Sequence, residues 1–420
     1  MGGQSAETIH ARLFNSRPDS GLAGARLQTA RGPLAGIRVI DATVNVLGPV
    51  ATQILGDMGA DVIKIETPGG DPSRDTGPCR NPRMAAMHMN VNRNKRSVTL
   101  DLKRPQALAA LMRLIETADV FVHSMRSTAA KRLGISYEIV HARNCRIIYG
   151  SGPGYRQDGP NRDDPAFDDV VQGESGIAAL MGQVNGEPRF YPTVIVDKLC
   201  GYVLASSIGM ALFNRERTGR GQEVQVPMFE TILAFNFLEH LWGAAFDPPL
   251  DSGVGYVRLL TKHRRPYQTK DGYICVLAVN DEQWRRALPA LGRADLLDDP
   301  RFSTTRARVG HYDELYGIVS EQLKLRTTAE WHVMFDAEDI PNGPMHSLQE
   351  LLHDPYLNDT EFFLRYEHPT EGLVRTIAPP MHFSGTPAGV HLPPPLLGEH
   401  NHSVLSELGY SETEIATLTT

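Results

Sequence analysis

The sequence has only four cysteines in 420 residues, and their positions argue against both a metal site and a disulfide framework. Cys79, Cys145, Cys200 and Cys275 lie far apart, and no two of them have CxxC or Cys/His ligand spacing. Disulfide-stapled proteins are smaller and much richer in cysteine. We therefore expect reduced cysteines, no metal and, by default, a cytoplasmic protein.

Long hydrophobic runs and an excess of basic residues are also missing. No apolar run reaches the roughly 18 residues that a membrane helix needs. Residues 1–33 contain no apolar segment of the kind found in a secretory signal. The formal net charge of −7 opposes general affinity for nucleic acid or for an anionic membrane. We expect a globular protein with neither of these partners.

Common nucleotide-binding and hydrolase motifs are absent as well. The first predicted strand is followed by ATVNVLGP (42–49), without the GxGxxG glycines that let a backbone approach a pyrophosphate. The motifs GxxxxGK[ST], HExxH and GxSxG do not occur either. A nicotinamide cofactor, a P-loop NTPase, a zinc protease and a common serine hydrolase are therefore disfavoured.

The segment 37–66 has the pattern of a strand, a helix and a second strand. GIRVID and DVIKIE are strand-like, and between them Pro49 and Gly59 suit the start and the end of a helix. The alternation continues with SVTLDLK (97–103), an amphipathic helix from Pro105 to Thr117, ADVFVH (118–123) and CRIIYGSG (145–152). This pattern predicts a doubly wound α/β domain with a parallel sheet.

The middle of the chain has a different pattern. An Asp-Gly turn signal inside residues 265–279 predicts a β-hairpin, and short helices follow it. Thr327, Ser347 and Ser411 each precede a glutamate by three residues, which indicates capping boxes at helix starts. We expect a mobile arm over 1–33, a large domain over 34–235, a linker and small α+β domain over 236–338, and a return to the large domain over 339–420.

An acidic residue interrupts the apolar stretch PTVIVDKLCGY (192–202), at a predicted junction from strand to helix. Asp197 there is typical of a helix N-cap, whose contribution to stability is about 1 kcal/mol. Backbone N–H donors and the positive helix end would also favour the ionised form and lower its pKa. Because an ionised carboxylate in an apolar pocket can act as a nucleophile, capping and catalysis are both open interpretations of Asp197.

Two other charged segments also have a structural and a functional interpretation. NRNKRSVTLDLKR (92–104) is either a solvated strand edge or a cradle for phosphate groups. DDPAFDD (163–169) contains four aspartates. Asp168 is a second candidate acid, and the others suit loops and caps.

Several blocks of the sequence, taken in order, are similar to those of one enzyme family. They include PLAGIRVIDATVNVLGPVATQILGDMGADVIKIETPGGDPSR, NKRSVTLDLK, RTGRGQEVQVPM and PPLLGEHNHSVLSELGY. The chain resembles the class III CoA-transferases from residue 34 to residue 416. This family, also called CaiB/BaiF, includes formyl-CoA:oxalate and carnitine CoA-transferases. The resemblance implies a Rossmann-like large domain built from both chain ends, a smaller α+β domain from the middle, and an interlocked homodimer.

The same resemblance implies an acyl-CoA:carboxylate CoA-transferase in which Asp197 is the nucleophile and Asp168 a second carboxylate near it. Asp197 would form a mixed anhydride and then an aspartyl-CoA thioester. Coenzyme A would be the co-substrate, with no metal and no nicotinamide. The residues implied to contact CoA are Leu100, Lys103, Ser124, Met125, Arg132 and, in addition, Arg74.

Two departures from the family pattern bear on the reaction and the substrate. Related α-methylacyl-CoA racemases place a histidine before the acid, where this chain has Phe167, which cannot exchange a proton. Racemisation or another isomerisation, and CoA binding without catalysis, are the alternatives. The glycine-rich flap of formyl-CoA transferases is missing. We therefore expect neither oxalate nor formate as the acid. Arg264 and Arg265 either face the acceptor's distal carboxylate, which favours a dicarboxylate such as succinate or mesaconate, or form a basic surface turn.

Overall fold

The computed structural model describes residues 32–251 and 253–419. The arm predicted over 1–33 falls outside the described residues, apart from Gly32 and Pro33. The strands are β1 Arg38–Ala42, β2 Asp61–Glu66, β3 Lys95–Thr99, β4 Val120–His123, β5 Ile148–Ser151, β6 Gln222–Gln225, β7 Tyr267–Gln268, β8 Tyr273–Val276, β9 Asn342–Pro344, β10 Phe363–His368 and β11 Gly372–Ile377.

The helices alternate with the first six strands and then dominate the middle of the chain. They are α1 Leu47–Asp57, α2 Ala86–Val91, α3 Pro105–Glu116, α4 Ser127–Leu133, α5 Tyr137–Arg143, α6 Asp168–Glu174, α7 Ile177–Asn185, α8 Ile195–Thr218, α9 Met228–His240, α10 Asp281–Ala290, α11 Thr305–Arg308, α12 Tyr312–Leu323, α13 Thr328–Ala337, α14 Leu348–Leu351, α15 Pro355–Asp359, α16 Asn401–Glu407 and α17 Glu412–Thr419.

Strands β1 to β6 form one parallel sheet in the order β3-β2-β1-β4-β5-β6, which confirms the doubly wound α/β fold. The strand order reverses between β1 and β4, which pair in register from Val39 with Val120 to Ala42 with His123. In open α/β sheets, ligands bind at such a switch point, outside the carboxyl ends of the strands. The loops that follow β1 and β4 are therefore the expected place of a ligand site.

The two faces of the sheet bury separate apolar clusters because successive side chains of a strand point in opposite directions. Ile40 packs into the cluster that includes α3, α5, α16 and α17, whereas Val39 packs into the cluster that includes α1 and α8. Val404 and Leu418, near the carboxyl end of the chain, belong to the first cluster. The large domain is thus built from both ends of the chain.

Helix α8 begins at Ile195, so the apolar residues 192–196 do not form the strand that their composition suggested. A Cβ at Gly201 would come within 2.8 Å of the Leu47 carbonyl oxygen, so α8 lies directly against α1. Among the described residues, α8 is the single helix that is long and apolar enough to cross a membrane by length and composition. Its buried residues, such as Val196, Cys200 and Leu204, belong to the core of the large domain.

The middle of the chain forms an α+β unit with its own core. The predicted hairpin is present as β7 and β8, and Trp284, Tyr316 and Trp331 are buried beneath the helices. Strand β9 pairs with β8, so the small sheet extends past residue 338, where the sequence placed the end of this domain. The capping boxes at Thr327 and Ser347 are confirmed. The antiparallel pair β10–β11 had no equivalent in the sequence prediction.

Candidate active site

Two neighbouring cavities open at the carboxyl ends of the parallel strands, on the switch point of the sheet. Val44, just after β1, lines both. After β4, Ser124 lines one and Met125 lines the other. The Val44 N–H donates to Ser124 Oγ at 3.1 Å, and the Met125 N–H donates to Nδ1 of His123 at 3.1 Å. The first bond ties the two loops together and the second fixes the turn after β4, so the cavities are adjoining parts of one site.

The first of these, here named the basic cavity, has a volume of about 690 Å³. Lys103 and Arg132 supply cations to its wall, and both residues are exposed. Met125 lines the apolar part, as does Leu100, although the Leu100 side chain is fully buried. Cations beside an apolar wall suit a ligand that carries phosphates on a less polar arm. The structure thus brings together four of the residues that the resemblance assigned to CoA.

The second, here named the acidic cavity, has a volume of about 590 Å³ and is lined by both candidate acids. Asp168 is the first residue of α6 and Asp197 is the third residue of α8. One carboxylate oxygen of Asp168, Oδ2, accepts the backbone N–H of Asp197 at 3.0 Å. Two acids that are 29 positions apart in the chain therefore meet in one cavity, which also contains Ser124.

The prediction that Asp197 caps its own helix is wrong. Val194 occupies the N-cap position of α8, and its side chain makes no capping bond. The first turn of a helix leaves N–H groups without helical partners, and here one of them is taken by Asp168 from another helix. The capping carboxylate thus belongs to Asp168, and the Asp197 side chain remains in the acidic cavity.

The predicted direction of the Asp197 pKa is also wrong. Burial, followed by the negative charge of Asp168, raises the pKa of Asp197 to about 7. Desolvation and a like charge both disfavour the ionised form, and the N–H donors that would have opposed them are engaged elsewhere. Near neutral pH, Asp197 is therefore present in both forms, and its ionised form is a stronger base than an ordinary carboxylate.

Cys200, one turn after Asp197 in α8, does not compete as a nucleophile. Burial raises the pKa of its thiol to about 12, with Asp197 and Asp168 adding to the effect. The thiolate is the reactive form of cysteine, so this thiol is inert at neutral pH. Phe167 lines the same cavity and is 68% exposed, and no histidine occurs among the described residues that line it. Asp197 and Asp168 remain the candidate reactive groups of this cavity.

The structure does not bring Arg74 to the cavity surface, which corrects the expectation that it contacts CoA. Its side chain is fully buried and binds Glu66 through two bonds of 2.7 Å. It also donates to the Pro395 carbonyl oxygen at 3.2 Å. Arg74 therefore holds the return segment of the chain against the large domain.

Most of the basic segment 92–104 forms neither a phosphate cradle nor a solvated edge. Arg93 pairs with Asp57 at 2.6 Å, and Lys95 pairs with Asp41 at 3.0 Å. Lys95 is fully buried. Carboxylates on neighbouring elements satisfy these cations within the fold, and Lys103 is the one basic residue of this segment among the described residues that line the basic cavity.

Arg264 and Arg265 line neither cavity of the large domain. They line a separate cavity of about 480 Å³ in the small domain, together with Tyr267 and Tyr316. Within one chain, these arginines do not join the acidic cavity.

Three residues at the site were missed by sequence reasoning. Arg126 and Arg162 line the acidic cavity, and Gln172 contacts Asp168 from beneath. Arg126 directly follows Met125, so its position after β4 was a usable signal. Gln172 lies four residues after Asp168, a spacing that places two side chains on one helix face. No local pattern pointed to Arg162.

The doubly wound sheet, with a basic cavity beside paired acids at its switch point, has the features of an α/β enzyme that handles CoA thioesters. The sequence model of CoA-transferase family III matches residues 34–401, and the chain belongs to that family. Membership confirms the predicted family and the enzyme class, and it implies CoA as co-substrate.

Curated relatives cover nearly the whole chain. The probable fatty acyl-CoA transferase Rv3272 of Mycobacterium tuberculosis is 34% identical over 88% of this chain and 96% of its own. Succinate–glutarate CoA-transferase of Agrobacterium fabrum is 33% identical over 90% and 96%. The crystal structure of an aspartate-to-alanine mutant of Rv3272 has a TM-score of 0.80 at 31% identity, covering 90% of this chain and 99% of that one.

Proposed function

We propose that this protein is an acyl-CoA:carboxylate CoA-transferase that works through covalent intermediates on Asp197. The observation that carries the proposal is the pair of acids in one cavity, with the pKa of Asp197 raised to about 7 by burial and by Asp168. This group is basic enough to attack and is ionised in part at neutral pH. The adjoining basic cavity offers room for the CoA part of a thioester.

The proposed reaction needs no group beyond the two substrates and Asp197. An Asp197 carboxylate oxygen attacks the donor thioester carbonyl, the C–S bond breaks, and a mixed anhydride forms as CoA thiolate leaves. The thiolate then attacks the aspartyl carbonyl and releases the donor carboxylate. The acceptor carboxylate attacks the resulting aspartyl-CoA, which frees the thiolate again. Finally, the thiolate attacks the acceptor carbonyl and regenerates Asp197.

In this proposal, different residues of the basic cavity contact different parts of the CoA molecule. Lys103 and Arg132 bind phosphate groups, since phosphates favour Lys and Arg donors. Leu100 and Met125 contact the less polar arm. Ser124 lies where the arm passes into the acidic cavity, beside Val44. The thioester then reaches the cavity that Asp197 lines.

The acceptor in this proposal is a dicarboxylate such as succinate or mesaconate. Relatives include enzymes named for succinate, glutarate and citramalate. Arg126 and Arg162 are exposed cations in the acidic cavity, and either can receive the distal carboxylate.

A charge-removing variant tests the acceptor assignment. Arg126→Gln should raise KM for a dicarboxylate roughly 10-fold or more, because it removes a hydrogen bond to a charged group. KM for a monocarboxylate of similar length should stay unchanged. Arg143→Gln, which removes an exposed cation of α5, is the matched control. Equal effects on both acids would argue against Arg126 as the distal-carboxylate site, and Arg162→Gln would then be compared in the same assay.

The proposed assembly is an interlocked homodimer. One face of α8 packs in the core, yet the opposite face exposes Met210 at 69% and Phe213 at 66%. Leu238 on α9 is 82% exposed. A helix that is apolar on both faces is normally buried on both, so a second copy of the chain is the proposed cover.

Chemical trapping tests the covalent route. The parent protein is incubated with succinyl-CoA and borohydride, which reduces an aspartyl thioester to an alcohol. Peptide mass mapping should locate the change at Asp197, and Asp197→Asn should show neither the change nor CoA exchange between acids. An Asp197→Asn protein that exchanges CoA at the parental rate would overturn the proposal. α-Proton exchange without CoA transfer would instead favour an isomerase.

A further inference from the structure

Gln172 lies one helical turn after Asp168 in α6. Both the nitrogen and the oxygen of its side-chain amide make hydrogen bonds within the protein. It is 1% exposed. Its Nε2 donates to Asp168 Oδ1 at 2.5 Å and to the Thr193 carbonyl oxygen at 3.2 Å. Its Oε1 accepts the Tyr191 backbone N–H at 2.9 Å. One side chain therefore joins Asp168 to the segment that leads into α8.

The Asp168 carboxylate completes a chain of contacts to the nucleophile. Oδ1 accepts from Gln172, and Oδ2 accepts the backbone N–H of Asp197. Because Val194 provides no side-chain cap for α8, the bond from Asp168 supports its first turn. Gln172 thus acts on Asp197 along two routes, through Asp168 and through residues 191–193.

We propose that Gln172 is a positioning residue that fixes the first turn of α8 and, through that turn, the place of the Asp197 carboxyl group in the acidic cavity. This inference rests on the proposed function. Gln172 is absent from the residues that line either cavity, so its effect passes through Asp168 and the segment before α8. Without Gln172, the Asp168 carboxylate would be held through one oxygen and could rotate. The bonds to both of its oxygens fix its plane and thus the place of the Asp197 N–H. Catalysis that depends on a near-attack geometry is sensitive to shifts of about 1 Å.

Two substitutions separate the hydrogen bonds of Gln172 from its bulk. Gln172→Met retains the side-chain length and removes all three bonds, and kcat should fall roughly 10- to 100-fold while KM for the acyl-CoA stays within about twofold. Gln172→Glu retains the shape and an acceptor for Tyr191, but it places a carboxylate against Asp168. Its kcat should fall at least as far. A side chain that only filled space would tolerate Gln172→Met, which retains the length of the side chain.

A matched control and a double-mutant cycle complete the experiment. Gln225→Met removes a comparable bond, from Nε2 to Glu223 Oε1 at 2.8 Å on the exposed strand β6, and should leave kcat unchanged. In an Asp168→Ala background, Gln172→Met should have a much smaller further effect, because the two residues act as one unit. Thermal unfolding of every variant checks that each is folded.

The outcomes distinguish this role from the proposed function. If Asp197→Asn is inactive while Gln172→Met and Gln172→Glu keep the parental kcat, the positioning role is overturned and the function stands. Fully additive losses in the double-mutant cycle would also overturn it. An Asp197→Asn protein with full activity would overturn the proposed function itself and, with it, any role for Gln172 in orienting the nucleophile.

Discussion

At the scale of single residues, the site depends on how two carboxyl groups share a buried space. The two carboxylate oxygens of Asp168 accept hydrogen bonds from the amide of Gln172 and from the N–H of Asp197. Asp197 is then left with little solvent and with that charge beside it, and both effects raise its pKa. The two acids therefore differ because Asp168 accepts the N–H at the start of α8, whereas Asp197 is buried beside the Asp168 carboxylate.

The raised pKa of Asp197 predicts an acid limb in the pH profile. Because the attacking form is ionised, kcat/KM for the acyl-CoA should fall about tenfold for each pH unit below a pKa of about 7. Asp168→Asn removes the like charge, so the pKa of Asp197 falls and the limb moves to lower pH. Steady-state rates across pH, measured on both proteins, check the direction of the shift.

Asp169 is the matched control for that shift. It is the next residue in α6, lines the same cavity and is exposed, so solvent screens its charge. Asp169→Asn should leave the acid limb where the parent has it. A parental limb near the ordinary carboxyl pKa, or an equal shift in both variants, would contradict this account of Asp197.

At the scale of elements, buried ion pairs hold the loops that form the two cavities. Lys64 on β2 pairs with Asp71 at 2.9 Å and donates to the Thr43 carbonyl oxygen at 2.9 Å. Asp71 accepts the N–H of Asn45, which has a φ of 65° in the left-handed region. Lys64 and Asp71 thus fix the backbone on both sides of Val44, at Thr43 and at Asn45.

The Glu66–Arg74 pair should carry a large share of local stability. Burial raises the pKa of Glu66, but Arg74 and Lys64 lower it more, so the pKa falls to about 2. Glu66→Gln leaves Arg74 buried without its partner charge, and the free energy of unfolding should fall by about 3–5 kcal/mol at pH 7. Urea unfolding measures the loss.

The pH dependence of that loss has a definite sign. The folded-state pKa of Glu66 is depressed, so its contribution is present above the unfolded value of 4.5 and is lost as pH falls from there towards 2. The gap between parent and Glu66→Gln should therefore shrink on acidification. Glu116→Gln breaks an exposed pair with Arg143, at 3.3 Å, and should cost less than about 1 kcal/mol. Equal losses for both variants would contradict the assignment.

At the scale of the whole molecule, α8 connects the chemistry to the proposed assembly. Its first turn presents Asp197 to the acidic cavity, its buried face packs on the sheet, and its remaining face is apolar and exposed. A free surface of this kind is uncommon in a monomer. In the proposed assembly, this one helix would carry both the proposed nucleophile and a contact with the second copy.

Charge placed on this surface should disrupt the dimer. Phe213→Glu puts a carboxylate where the second copy would bury an apolar ring, so sedimentation should shift from a dimer towards the 46.3 kDa monomer. Val333→Glu, on α13 of the small domain, replaces a side chain that is also 71% exposed and should leave the dimer intact. A parent protein that sediments as a monomer would rule out the proposed assembly.

The sequence by itself determined the local features of this protein. DVIKIE coincides with β2, Pro105 begins α3, and the capping boxes at Thr327 and Ser347 start their helices. These strand and helix positions depend on the periodic pattern of apolar side chains and on contacts within one turn of a helix. Neighbouring residues in the sequence specify both. The alternation of such elements was sufficient to predict the doubly wound sheet.

Only the tertiary structure decided which charged groups meet. Lys95 reaches Asp41 across 54 positions of the chain, and Asp168 reaches the N–H of Asp197 across 29. The sequence placed Asp197 at the start of a helix but gave the wrong cap and the wrong direction of its pKa. The strength of a carboxylic acid is set by desolvation and by nearby charges, and both depend on contacts between distant parts of the chain.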